Sequence, residues 1–76
     1  MRKILSERLK KLRQAKGYSQ NEVAIYADIT EKTYQNYELM TREPKLEILI
    51  RIAEVYNVSL DYLAGLTDEE KPYPRV

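Results

Sequence analysis

Apolar residues recur along this chain at helical spacing, and polar caps divide the pattern into five segments. Leu5, Leu9, Leu12 and Ala15 line one side of a helix predicted over about residues 3–16 and stopped by Gly17. Val23, Ala24 and Ala27 mark a second helix ending near Asp28, with small residues that let another helix approach closely. Leu46, Leu49, Ile52, Ala53 and Tyr56 are spaced to bury one face of a fourth helix, and a short fifth carries Leu63 before Gly65 ends it.

The helix starts are specified by local chemistry. Ser19 can cap the second helix while Glu22, three residues on, reaches back to form a capping box, and Tyr18 and Val23 stand at the two staple positions. Thr30 caps the third helix, with Ile29 and Tyr34 as its staple; Ser59 caps the fifth, with Val58 and Leu63. Because the third helix begins two or three residues after the second ends, the pair must cross steeply, as a helix-turn-helix.

The third helix differs from an ordinary surface helix. In "ITEKTYQNYE", Ile29 to Glu38, the apolar positions are tyrosines, and Thr, Lys, Gln and Asn stand between them. A core-packed helix more often carries a Leu, Ile or Val stripe opposite Lys and Glu. Such a polar face is either solvated or shaped to read a partner.

Composition narrows the choice. Seventy-six residues make one domain, and the absence of Cys and His removes disulfides, thiolate and imidazole metal sites, and the commonest general bases and nucleophiles. The remaining Ser, Lys, Tyr and carboxylates are accounted for as caps, core or surface, so no enzyme is expected. Met1 to Leu5 begins like a secretory leader, but Ser6 and Glu7 follow at once and no apolar run reaches membrane length. A soluble, cytoplasmic protein follows from this reading. Net charge is +1, yet residues 1–20 balance to +6, residues 21–43 to −3 and residues 44–76 to −2. That basic end is either a solvated face or a phosphate-binding patch. The closing "TDEEKPYPRV" is charged and broken by proline, hence extended or mobile, and there is no internal repeat or second domain.

Three segments, "LRQAKGYSQNEVA", "ITEKTYQNYE" and "REPKLEIL", followed by "VSLDYL", stand in order and at characteristic separations. Over roughly residues 4–65 the chain resembles the Cro and phage-repressor (XRE) type of helix-turn-helix DNA-binding domain. The resemblance implies an all-α, five-helix lambda-repressor-like domain over residues 1–66, with residues 67–76 as a tail. Its second and third helices would form the helix-turn-helix.

It further implies a sequence-specific regulator of transcription, a repressor of a bacterial, phage or mobile-element promoter, that binds double-stranded DNA as a homodimer on a palindromic operator. No cofactor, metal or small-molecule ligand is implied. The third helix would enter the major groove with Glu31, Lys32, Thr33, Gln35 and Asn36 toward the base edges, and these residue types suit the task. Gln20 occupies the position the family uses for a phosphate contact, with Ser19, Thr30, Arg42 and Lys45 as further phosphate candidates. Arg13 and Glu38 match a family salt bridge between the first and third helices, and Tyr34 and Tyr37 fall at core positions. Each tyrosine hydroxyl would then reach water, a backbone group or a phosphate.

The family's dimer interface corresponds to Val58, Leu60, Tyr62 and Leu66, with Pro72-Tyr73-Pro74 as a possible cover; Val58 and Leu60 can equally be assigned to the core. Leu39-Met40 stands where the family commonly has Asn-Gly, and a left-handed Leu or Met costs roughly 1–2 kcal/mol. The exit from the third helix is therefore left open between a left-handed turn at this cost and another turn of helix. Asp28, at a usual glycine, tolerates left-handed geometry, and Lys45, at a usual Ser or Thr cap, should fray the fourth helix. An alternative to DNA binding is a protein-interaction module, such as an antitoxin or regulator antagonist, that would use exposed Leu39-Met40 and the acidic tail.

Overall fold

The computed structural model describes residues 2–74, without the side chain of Arg2; Met1 and the last two tail residues, Arg75 and Val76, lie outside the described residues. It contains α1 (Arg2–Lys16), α2 (Gln20–Tyr26), α3 (Glu31–Glu38), α4 (Leu46–Tyr56) and α5 (Leu60–Ala64). The predicted caps form. The Ser19 hydroxyl accepts from the Glu22 N–H, and the Ser19 N–H donates to the Glu22 carboxylate at 2.8 Å, completing the capping box. Thr30 and Ser59 accept from the third residue of α3 and α5 respectively.

Each helix ends in the same way. Gly17, Asp28, Met40, Asn57 and Gly65 all take a positive φ, between 55° and 83°. The N–H of each donates three residues back, and the N–H of the next residue donates five residues back, as Tyr18 does to Arg13 and Ile29 does to Ala24. In Gly17-Tyr18-Ser19, Asp28-Ile29-Thr30 and Asn57-Val58-Ser59 a left-handed closer, an apolar residue and the next N-cap follow without a spare residue. At Gly65 an added Cβ would also lie 2.9 Å from the end of the Ile4 side chain of α1, which would have to shift.

Leu5, Leu9 and Leu12 seat α1 on a core shared with Val23 of α2, Tyr34 of α3 and Ile52 of α4. Helix α1 packs against α3, α4 and α5, and α2 packs against α3 and α4. Two residues assigned to apolar stripes fall outside this core. Ala15 and Leu46 sit in the end turns of α1 and α4, beyond the reach of neighbouring helices, and are exposed.

Helix α3 does not run on. It stops at Glu38, and Met40 takes the left-handed conformation at φ 65° that its side chain disfavours. The reason comes from α1. The buried hydroxyl of Ser6 donates to the Glu38 carbonyl, the acceptor that another helical turn would have used.

The tail is extended, as its prolines require, but it is held in place. The Arg8 guanidinium donates to the carbonyls of Tyr62 and Thr67 and to the Asp68 carboxylate, and lies 4.1 Å over the Tyr62 ring. Farther on, the Ser59 N–H donates to the Glu70 carbonyl at 2.9 Å and the Tyr73 hydroxyl to Asp61 at 2.7 Å. The tail thus crosses the start of α5. Among the described residues, no helix is long and apolar enough to cross a membrane.

Candidate nucleic-acid interface

Helix α3 is built with one locked face and one open one. Tyr34, Tyr37 and Glu38 are buried, whereas Glu31 and Lys32 are exposed and Thr33, Gln35 and Asn36 are half-buried. The 3.6-residue period produces this division, placing residues 31, 32, 35 and 36 together on the side away from the tyrosines. Across the open face, Gln35 donates to Glu31 over a long 3.4 Å, one turn apart. The Thr30 and Thr33 hydroxyls share a 2.8 Å hydrogen bond at the helix start.

The locked face centres on Glu38. Arg13 donates to its two carboxylate oxygens through Nε at 2.7 Å and Nη2 at 3.1 Å, and Gln20 Nε2 donates to the second of these oxygens at 3.2 Å. Burial alone would raise the carboxyl pKa, but hydrogen bonds from Arg13, Tyr34 and Gln20 together outweigh it and hold the group below the usual carboxylate range. The same hydrogen bond keeps the Arg13 guanidinium more firmly protonated. Arg13 also donates to the Tyr18 carbonyl at 3.2 Å, so one side chain ties α1 to the first turn and to the end of α3. Arg51 of α4 fixes the other turn, donating to the Ala27 carbonyl at 2.7 Å.

The Tyr34 hydroxyl meets a second tyrosine. It lies 2.7 Å from the hydroxyl of Tyr56, inside the core. Burial pushes the Tyr34 phenol far above its ordinary pKa and that of Tyr56 up to about 12, so both remain neutral.

The phosphate candidates lie around the open face. Ser19 and Thr30 are exposed caps; Gln20 is half-buried, with one amide hydrogen directed at Glu38. Arg42 and Lys45 are exposed and flank one cleft with Thr30 and Thr33. Lys45 occupies the N-cap of α4 without making a side-chain cap. Arg8 leaves the basic patch altogether, being consumed by the tail, whereas Lys10 and Lys16 remain exposed. Of the four residues set down as a dimer surface, Val58 and Tyr62 are each 3% exposed and belong to the core, because Val58 is the staple of α5 and the Tyr62 ring lies beneath Arg8. Leu60 is half-buried and Leu66 is exposed.

Sequence reasoning missed Ser6, Arg8 and Arg51. For Ser6 there was a signal: it stands seven residues before Arg13, two turns along the same face of α1, and both side chains end on Glu38. Arg8 and Arg51 bind backbone carbonyls far away in sequence, which leaves no local pattern.

The family model described as "Helix-turn-helix" matches residues 9–63, from the middle of α1 into α5. The chain belongs to the XRE-type helix-turn-helix family. The domain is 40% identical over 67 residues to the HTH-type transcriptional regulator ImmR of Bacillus subtilis (strain 168), covering 88% of this chain and 53% of that protein. It is 42% identical over 60 residues to YonR, an SPbeta prophage-derived uncharacterized HTH-type transcriptional regulator of the same organism, covering 79% and 56%. The N-terminal DNA binding domain of SinR from Bacillus subtilis superposes with a TM-score of 0.76 at 27% identity, covering 80% of this chain and 90% of that one. The helix-turn-helix domain thus spans little more than half the length of these two curated relatives. ImmR and YonR are both named HTH-type transcriptional regulators, and the SinR domain is named a DNA binding domain.

Proposed function

We propose that this domain is a sequence-specific reader of double-stranded DNA that represses transcription, binding as a homodimer to a palindromic operator with α3 in the major groove. The observation that carries the reading is the division of α3: Glu31, Lys32, Gln35 and Asn36 share an open face while Tyr34, Tyr37 and Glu38 anchor the opposite one. Asn and Gln pair bidentately with adenine, Lys donates to guanine, Glu accepts from cytosine, and Thr33 suits a hydroxyl contact or a thymine methyl. A rigid scaffold behind such side chains supports selectivity, because their geometry is fixed before DNA arrives.

Backbone contacts would fix the register. Gln20 spends one amide hydrogen on Glu38 and keeps the other for a phosphate oxygen. Ser19 and Thr30 add hydroxyls, and Arg42 and Lys45 add charge on the far side of α3. The longest dimension of the domain is 30 Å, short of the roughly 34–36 Å between half-site centres one helical turn apart, which supports one copy on each half-site of a palindrome. Leu60 and Leu66 are the remaining candidates of the expected interface, with Tyr73 beside Leu60 around an apolar groove.

Selection from a pool of random duplexes at two salt concentrations tests this reading. The expected outcome is an enriched palindrome with half-site centres one helical turn apart and affinity falling steeply with salt. Alanine at 31, 32, 35 or 36 should relax the preference at particular bases by about 1–3 kcal/mol, whereas alanine at 42 or 45 should weaken all sequences alike. Enrichment of no sequence, with weak binding at low salt, overturns the proposal and turns attention to a protein partner at the exposed Leu39 beside Met40.

A further inference from the structure

Tyr37 is 3% exposed, yet among the described residues its hydroxyl makes no hydrogen bond. No buried side-chain nitrogen or oxygen among those residues lacks a hydrogen-bond partner, so this hydroxyl is not itself buried: the little that Tyr37 exposes includes its oxygen. A phenylalanine would fill nearly the same space without a polar atom to satisfy, and the hydroxyl therefore calls for an explanation beyond packing.

Tyr37 lines the cleft between the start of α3 and the loop leading into α4, together with Thr30 and Thr33 from the helix start and Arg42 and Lys45 from the loop. The two threonine hydroxyls carry two hydrogens between them and share one hydrogen bond, while Thr30 also accepts from the Thr33 N–H. Whichever hydroxyl donates, one hydrogen is left over. The Tyr37 phenol keeps its own hydrogen, because burial raises its pKa and outweighs Arg42 and Arg51, which pull it down. Two hydroxyl donors and two cations thus line one space, a set that suits an anion with several acceptor oxygens. Glu43 and Glu47 line the cleft as well, so its four formal charges cancel and directed donors, rather than net charge, must select the ligand.

We propose that this cleft holds one phosphate of the DNA backbone, with the Tyr37 hydroxyl as its oriented donor and Arg42 and Lys45 as its counter-charges. This rests on the DNA-binding reading: a strand whose bases meet the open face of α3 carries its backbone past the flank of that helix. Arg42 and Lys45 are long, exposed side chains that lose freedom when they bind. The Tyr37 ring is already locked in the core, so its hydroxyl sets where along α3 the phosphate sits.

Tyr37→Phe keeps the ring and removes only the oxygen. Affinity is measured on the selected operator and on duplexes in which successive phosphates are replaced, one at a time, by a neutral methylphosphonate. Wild type should lose affinity at one phosphate to which Tyr37→Phe has become insensitive, and Arg42→Ala, at an exposed position, should couple to that same phosphate. On the unmodified operator Tyr37→Phe should bind about tenfold more weakly with the salt slope of wild type, whereas Arg42→Ala should reduce that slope by about 1. A merely structural role for Tyr37 would weaken binding equally on every duplex, which overturns the proposal, as does unaltered affinity. Inorganic phosphate added to the free protein, with the Tyr37 ring followed by NMR, separates the two readings. A shift with phosphate but not with chloride, in a protein that selects no duplex, overturns the DNA reading and leaves the cleft a site for free phosphate. No shift and no selected duplex overturn both.

Discussion

Ser6 and Arg13 converge on one residue of α3: Ser6 takes the backbone carbonyl of Glu38, and Arg13 takes its carboxylate at 2.7 and 3.1 Å. Two positions on one face of α1 thereby decide both where the recognition helix stops and how it is oriented. The Glu38 side chain is 4% exposed and that of Arg13 is 20% exposed, so their contact is far from a solvated surface ion pair.

Glu38→Gln keeps the shape and removes the charge. It should cost about 3 kcal/mol, the low end for a broken buried pair, because Arg13 retains some access to water. Operator affinity should fall although no DNA contact is removed. Thermal melts and binding isotherms check this together; unchanged values in both would refute the positioning role.

The same carboxylate contributes a pH dependence. Its folded pKa is depressed, so its contribution to stability is complete above the ordinary carboxylate value of about 4.5 and is lost as pH falls through the lower folded value. Denaturant unfolding from pH 7 to pH 2 should show a steeper loss of stability on the acid side for wild type than for Glu38→Gln. Parallel curves would count against it.

Met40→Gly should raise stability by roughly 0.5–1 kcal/mol, since it relieves a left-handed side chain at some cost in chain entropy. Asp28→Gly, at φ 59°, should gain less because Asp already tolerates that region. Urea midpoints of the two variants would show the order, and an equal or reversed order would contradict the strain argument.

Arg8 separates two kinds of partner. Arg8→Ala deprives the Tyr62 and Thr67 carbonyls of a donor and should cost about 1–3 kcal/mol, with faster proteolysis of the tail. Asp68→Asn removes only an ion pair whose acidic partner is fully exposed, and should cost far less. Comparable losses in the two variants would mean that the carbonyl contacts contribute little.

Whatever the chain settles within about five residues is legible in the order of its residues alone. The caps at Ser19, Thr30 and Ser59, the stops at Gly17 and Gly65, and the open polar face of α3 follow from intervals of three to five residues, which helical geometry makes into contacts. The Arg13–Glu38 pair was legible through the family pattern, though it joins residues 25 apart. The left-handed turn at Met40, the pairing of Tyr34 with Tyr56, the burial of Val58 and Tyr62 in the core, and the tail held by Arg8 emerge only once the helices have packed. Ser6 acts on Glu38 across 32 positions and Arg8 on Thr67 across 59. No periodicity encodes such contacts. They form because a buried hydroxyl or guanidinium must find an acceptor, and which acceptor is nearest depends on how all five helices have packed.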